Sequence, residues 1–181
     1  QQGWPLVHLA ALETWQGDHD AARLAVDEAL EITAGTESPI ATAYALAIGC
    51  RCEADIAEHA RRYDKTADAE RATSRAQSFV DHMSSLMQRP GPAEGWKREV
   101  GALRLQCEGE LLRAGGTGDP AAWAAATAAW DAMKMPYHGA YTRFRQAEAT
   151  SAIATDRDRV SELLIEAHRV SSSLGAAPLQ L

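Results

Sequence analysis

Four side chains on two predicted helices have the types and the spacing of a site for a negatively charged ligand. Lys97 and Arg104 occur on one of these helices, and Tyr141 and Arg145 occur on a later helix of similar pattern. When the two helices are aligned, the two arginines occupy equivalent positions next to the apolar stripe. Since arginine forms paired hydrogen bonds with carboxylates and phosphates, these residues predict a groove for an acidic peptide, a carboxylate or a phosphorylated effector.

The same residues have an alternative interpretation as ordinary parts of the surface and core. Both arginines can pair with acids on neighbouring helices, and a helical pair such as Arg104 with Glu108 is worth only about 0.3–0.5 kcal/mol. Trp123 and Trp130 lie seven residues apart on one helix face. They either form an aromatic ligand box or, as we favour, fill the gaps of an alanine-rich core with their large side chains.

Motifs for catalysis and metal binding are missing from the sequence. The glycines of 115–118 precede Asp119 and Pro120, where a phosphate-binding loop requires a lysine. Cys50 and Cys52 lie two residues apart on a predicted helix, so their side chains point about 200° apart and cannot share one ion. The six histidines include no pair at a spacing of three or four. We therefore predict that the protein is not an enzyme and needs no metal or cofactor.

The charge of the chain argues against direct contact with nucleic acid. The 181 residues include 18 Lys and Arg against 25 Asp and Glu, which gives a net charge of −7. A field of this sign repels a phosphate backbone. The basic run from Arg61 to Arg75 is interrupted by Asp64, Asp68 and Glu70, a pattern typical of a solvated helix face.

Composition favours an all-helical protein of the cytoplasm. Hydrophobic residues make up 46% of the chain and aromatic residues only 6%, and alanine, the most abundant residue, has the highest helix propensity. No apolar run approaches the ~20 residues that span a bilayer. Three cysteines at no framework spacing suit a reducing compartment.

The chain begins at Gln1 without a Met, and we expect it to be one TPR-like domain, 1–181, of a longer protein.

Prolines and a glycine divide the chain into eight predicted helices. Pro39, Pro92, Pro120 and Pro136 fit first helical positions, and Gly175 fits a left-handed C-cap. Between these residues, apolar positions recur in steps of three and four. The predicted helices are 4–16, 18–34, 39–62, 65–88, 92–114, 119–133, 136–154 and 156–174.

One pattern repeats at three helix junctions. An Asp occupies the N-cap position, and the buried stripe begins four or five residues later and continues after a further seven. The caps are Asp18, Asp119 and Asp156, and the stripe pairs are Ala22 with Ala29, Trp123 with Trp130, and Val160 with Ala167. Short connections and this repetition predict an all-α fold, a TPR-like α-solenoid of about four antiparallel helical hairpins.

The predicted helix contacts involve glycines and broad apolar stripes. A glycine inside a helix costs about 1 kcal/mol relative to alanine, so Gly49 and Gly101 predict close helix–helix approach. In the last helix, Val160, Leu163, Leu164, Ala167 and Leu174 are predicted to face the core.

Two stretches resemble a known family. The runs GDPAAWAAATAAWDAMKMPYHGAYTRFRQAEA (118–149) and EAHRVSSSLGAAPL (166–179) are similar to the C-terminal helical region of the large ATP-binding LuxR-type transcription regulators of actinobacteria. The residues from 51 to 63 resemble the family more loosely, because Asp55, Glu58 and His59 make them more acidic than expected. In that family a P-loop ATPase module precedes the helical repeats, and a DNA-binding helix-turn-helix follows them.

The resemblance implies a non-catalytic regulatory role. A protein partner or a small effector would bind the repeats and be coupled to ATPase and DNA-binding parts outside this chain. Two alternatives stay open: a stand-alone TPR-like adaptor, and a sensor that holds a small molecule inside the superhelix.

Overall fold

The structure is a computed structural model that describes residues 3–34, 39–88, 95–153 and 156–176. Within these ranges every regular element is an α-helix, and the chain divides into two compact units, Gln1–Thr117 and Gly118–Leu181. Unit 1 contains α1 Trp4–Gln16, α2 His19–Thr33, α3 Pro39–Arg62, α4 Thr66–Met87 and α5 Gly95–Ala114, and unit 2 contains α6 Pro120–Ala132, α7 Pro136–Ile153 and α8 Arg157–Leu174. The prediction of an all-α chain is confirmed for the described residues.

The predicted punctuation is confirmed at most junctions. Helices α3 and α7 begin at Pro39 and Pro136, and α6 begins at Pro120 behind its cap. The carboxylates of Asp18, Asp119 and Asp156 each accept a backbone N–H of the following turn, as N-caps do. Gly175 has a φ of 64°, the left-handed conformation that ends α8. The predicted start at Pro92 lies outside the described residues.

In unit 1, helix α3 is central and packs against α1, α2, α4 and α5. The rings of Trp4 and Tyr44 lie 5.4 Å apart, and the Arg51 guanidinium lies 3.6 Å from the Trp15 ring centroid, so α1 and α3 run in the same direction. Contacts of Tyr44 with Glu99 and of Glu58 with Arg113 show that α5 is also parallel to α3.

The intervening helix α4 is antiparallel to α3. The C-terminus of α3 is joined to the N-terminus of α4 by the short turn at Asp64. Further from this turn, the thiol of Cys50 in α3 lies 3.7 Å from the Ala76 carbonyl oxygen in α4. The small side chains between α3 and α4 allow close approach: Ala54, Ala57, Ala72 and Ala76 form one buried cluster with Ala114.

In unit 2, α7 packs against both α6 and α8. The hydroxyl of Thr127 in α6 lies 2.9 Å from that of Thr142 in α7. Trp130, near the end of α6, stacks on His138 at the beginning of α7, so these helices are antiparallel. The predicted third hairpin, which pairs α5 with α6, spans the boundary between the units and stays a prediction, as does the single domain over 1–181.

The predicted stripe of α8 is wrong at two positions. Leu163 and Ala167 are buried, but Leu164 and Leu174 are 41% and 46% exposed. The helix of unit 2 that packs against α8 is α7, and a single neighbour covers only one face. The stripe is therefore wider than the contact that α7 supplies.

A matched pair of glycine substitutions tests the packing of unit 1. A Cβ added at Gly49 would lie 2.7 Å from Cε2 of the buried Phe79 ring, so close approach is confirmed there. We expect Gly49→Ala to lower the free energy of unfolding by about 1–3 kcal/mol, measured by denaturant unfolding.

Gly101→Ala is the control for that substitution. No described atom lies within 4 Å of a Cβ added at Gly101, so the prediction of close approach is wrong at this position. The alanine should raise stability by about 0.5–1 kcal/mol through helix propensity alone. An equal loss in both variants would contradict the packing described for Gly49.

Candidate functional site

The predicted site residues of unit 1 lie on α5. Lys97 and Arg104 are seven residues apart, two helical turns, and both are half-buried. The guanidinium of Arg104 forms an ion pair with Glu108 on the same helix. The pairing expected by the alternative interpretation is present, although its acid lies on α5 itself and not on a neighbouring helix.

The predicted site residues of unit 2 lie together on α7. Nε of Arg145 donates a hydrogen bond of 3.1 Å to the Tyr141 hydroxyl, and Nη1 lies 2.8 Å from Glu148. Tyr141 is only 2% exposed and meets Trp123 edge to face. The side chain of Arg145 is 11% exposed. The predicted groove combines residues of both units, and its assembly stays a prediction.

Trp123 and Trp130 lie in the core of unit 2, which agrees with the interpretation we favoured for them. Both are fully buried, and they are the two largest side chains in that state among the described residues. The Trp130 ring stacks on the His138 ring, with the two ring centroids 4.2 Å apart and an interplanar angle of 18°. Nε1 of Trp130 has no hydrogen-bond partner among the described residues. Its role is therefore apolar packing.

Burial of His138 makes the stability of unit 2 depend on pH. Desolvation lowers the pKa of His138 from 6.5 to about 4, so the unfolded chain binds this proton more readily than the folded one. The stabilisation is present above pH 6.5 and is lost as pH falls toward 4. Between pH 7 and pH 5 we expect this residue to account for about 1–2 kcal/mol of lost stability.

Denaturant unfolding at the two pH values measures this effect. His138→Phe keeps a ring against Trp130 and should reduce the loss. The same pH dependence in His138→Phe as in wild type would assign the proton uptake elsewhere.

A buried carboxylate joins three helices of unit 1. Glu53 of α3 is 1% exposed. Nε of Arg23 in α2 donates to its Oε1 at 2.8 Å, and Nε of Arg75 in α4 lies 3.0 Å from the same oxygen, at an angle unfavourable for a hydrogen bond. Arg75 also pairs with Asp27 of α2. Through Glu53 and Asp27, the cluster connects α2 with α4, and both of these helices pack against α3.

A second cluster accounts for the acidic part of α3. Arg113 of α5 contacts Asp55 at 2.7 Å, Glu58 at 3.0 Å and Glu110 at 2.8 Å. Burial acts to raise the pKa of Glu58, but the charges and hydrogen bonds of Arg113 and Arg62 outweigh it and lower this pKa. Asp55 and Glu58, which make residues 51–63 acidic, therefore pair with Arg113 of α5.

The basic run from Arg61 to Arg75 is only partly a solvated face. Arg61 donates to the carbonyl oxygens of Arg113 and Ala114, where a cation stabilises the end of α5. Arg75 belongs to the Glu53 cluster. The prediction of a solvated face is wrong for these two side chains, because sequence spacing does not show that α2 and α5 pack beside them.

Lys65 and Arg71 of the same run line a cavity of about 290 Å³ in unit 1, which we call the cationic cavity. Helices α2, α3 and α4 all contribute to it. Its lining residues are His19, Arg23, Ile56, His59, Ala60, Lys65, Asp68 and Arg71. The sequence holds a partial signal, because His19 with Arg23 and Lys65 with Asp68 and Arg71 recur at helical spacings. Their convergence across α3 is visible only in the fold.

A larger cavity of about 600 Å³ lies in unit 2 between α7 and α8. Phe144, Leu164, Ile165 and Ala167 supply its apolar lining. The exposed side chain of Leu164 is therefore part of the lining of this cavity.

Cys50 and Cys52 face different helices, as their spacing predicts. Cys50 contacts α4, and Cys52 lies 3.7 Å from the His19 carbonyl oxygen of α2. Among the side chains that the structure describes, no group of three or more His, Cys, Asp or Glu residues could hold a metal ion. Within the same ranges, no helix has the length and apolar character needed to cross a membrane.

Comparison with known proteins adds no relative. Protein-family models, curated proteins and solved structures give no match to this chain.

Proposed function

We propose that this chain is a non-catalytic regulatory domain of a LuxR-type transcription regulator. It binds a protein partner or a small effector in the cytoplasm and transmits that binding to ATPase and DNA-binding parts of a longer protein. The chain itself makes no direct contact with DNA or with a membrane.

The observation that supports this proposal best is the direction of the helices in unit 1. Helices α1, α3 and α5 run parallel, and α2 and α4 return beside them. Alternating parallel first helices and antiparallel second helices are the arrangement of TPR-like repeats, whose general use is the binding of other molecules. The Asp-capped helices α2 and α6 repeat one buried seven-residue step, one in each unit, which supports a common repeat. Helix α8 has the same Asp cap, but Val160 at the start of its step is only half-buried.

The family assignment is supported by the runs 118–149 and 166–179, of which the described parts form the helices of unit 2. Reading the complete gene tests it. We expect a P-loop segment upstream of Gln1 and a helix-turn-helix segment downstream of Leu181. Unrelated sequence on both sides would remove the LuxR proposal, and a reading frame that stops shortly after Leu181 would favour a stand-alone adaptor.

A small-molecule sensor is the second candidate, and the proximity of Tyr141 and Arg145 favours it. A thermal-shift screen of metabolites tests this function. Stabilisation by one compound that is lost in Arg104→Ala or Arg145→Ala would support the predicted groove. Stabilisation that survives both substitutions would exclude that groove as the site.

A further inference from the structure

The cationic cavity has a charge opposite to that of the whole chain. Its permanent cations are Arg23, Lys65 and Arg71, and Asp68 is the single carboxylate among its lining residues. His19 and His59 add two imidazoles. In a chain of net charge −7, an excess of cations around one concave space marks it as a place where an anion is stabilised.

Much of the hydrogen-bonding capacity of these cations is not used within the protein. Arg23 binds Glu53 through Nε and Nη2, and Nη1 takes no part in that pair. Arg71 pairs with Asp68 through Nη2. The Lys65 ammonium has no ion pair or hydrogen bond with any residue that the structure describes. Donors from two helices are therefore available to a ligand in the cavity.

Two helices also begin at this cavity. His19 is the first residue of α2, and Lys65 directly precedes the first residue of α4. Each helix N-terminus carries a partial positive charge and backbone N–H groups without intrahelical partners. The side chain of Asp18 caps α2, but Lys65 gives no side-chain cap to α4. The N-terminus of α4 therefore adds to the field of the basic side chains, whereas the carboxylates of Asp18 and Asp20 offset that of α2.

We propose that the cationic cavity binds the phosphate group of a small phosphorylated molecule. A phosphate dianion offers three terminal oxygens to donors that arrive from several directions, whereas a carboxylate offers two in one plane. The volume of about 290 Å³ leaves room for an organic group beside the phosphate. Ile56 and the buried Ala60 supply apolar surface for that group. This site is distinct from the predicted groove and does not depend on the family proposal.

Amide chemical shifts of the ¹⁵N-labelled chain, titrated with phenyl phosphate at constant ionic strength, test the proposal directly. We expect saturable shifts concentrated at residues 19–23 and 56–71. Benzoate, which carries the same ring on a carboxylate, should bind about tenfold more weakly. Shifts that do not saturate, that lie mainly outside these ranges, or that are as strong with benzoate would overturn the proposal.

A pair of variants separates the site from general charge attraction. Lys65→Gln with Arg71→Gln should weaken phenyl phosphate binding about tenfold. Both side chains are exposed, so the fold should persist, and the titration of the wild-type chain needs no variant. Arg62→Gln is the matched control. Arg62 is an exposed cation at the end of α3, close in sequence to Lys65, but it does not line the cavity. Its affinity should stay within about twofold of wild type, and equal weakening in the two proteins would contradict a built site.

Discussion

Trp130→Ala is expected to lower the free energy of unfolding of unit 2 by about 3–5 kcal/mol. The ring is completely buried and stacks on His138. Since Nε1 makes no hydrogen bond with a described residue, the loss comes from a cavity in the packing and not from a broken polar contact. Denaturant unfolding of the wild-type and variant chains measures this difference.

Tyr137→Ala is the control for the loss of an aromatic ring in the same unit. Tyr137 is 36% exposed, and its removal should cost much less than that of Trp130. A Trp130→Ala protein that melts within a degree of wild type would contradict the core position, and it would revive the aromatic ligand box predicted as the alternative for Trp123 and Trp130.

Arg113→Met is expected to destabilise unit 1 by about 3–5 kcal/mol. The Arg113 side chain is 12% exposed and faces Asp55, Glu58 and the completely buried Glu110. Methionine keeps much of the volume but removes the positive charge. In the folded variant the three carboxylates therefore lack their common cation and repel one another. Chemical unfolding at neutral pH measures the effect.

Arg104→Met provides the matched control on the same helix. Arg104 and Glu108 are both more than a third exposed, and a solvated pair of this kind contributes about 0.3–0.5 kcal/mol. A similar, small effect in both variants would mean that the Arg113 cluster is not a structural contact between α3 and α5.

The Glu58 part of the cluster should also respond to acid. Its pKa is lowered in the folded protein, so its contribution is present above the unfolded pKa and is lost as pH falls through the folded pKa. In Arg113→Met, which lacks one of the two cations that lower this pKa, the acid sensitivity of this contribution should be smaller. Unfolding free energies compared between neutral pH and pH about 4 measure the change.

Much of the fold could be predicted because its signals are local. An Asp before a helix accepts backbone N–H groups of the next turn, and a proline fits the first turn, wherever the helix later packs. Asp18, Asp119 and Asp156 confirm this reasoning. Apolar residues also recur in steps of three and four along α4, from Ala72 to Leu86, and they are buried because α3 and α5 both pack against that helix.

The failures concern contacts that depend on which helices become neighbours. Leu164 is exposed because α7 covers only one side of α8. Gly101 lies inside a helix as Gly49 does, yet of the two only Gly49 meets an aromatic ring. Periodicity identifies the apolar face of a helix, but it does not give the number or the size of the side chains that meet it.

The candidate sites illustrate the same limit. The proximity of Tyr141 and Arg145 could be predicted, because four residues separate them on one helix. The cationic cavity could not, because His19, His59 and Lys65 come from three segments that converge only when α2 and α4 pack on α3. Glu58 has a local partner in Arg62, but Arg113, which pairs with both Asp55 and Glu58, lies more than fifty residues away in the sequence.

The proposed regulatory role is tested most directly in the product of the complete gene, with a transcription reporter as the readout. Trp130→Ala should destabilise unit 2 within that protein. The account predicts that the regulated response of the reporter is then lost, while the purified variant still hydrolyses ATP and binds its DNA. A reporter response equal to wild type, in a variant whose unit 2 is shown to be unfolded, would contradict the proposal that this domain transmits a signal.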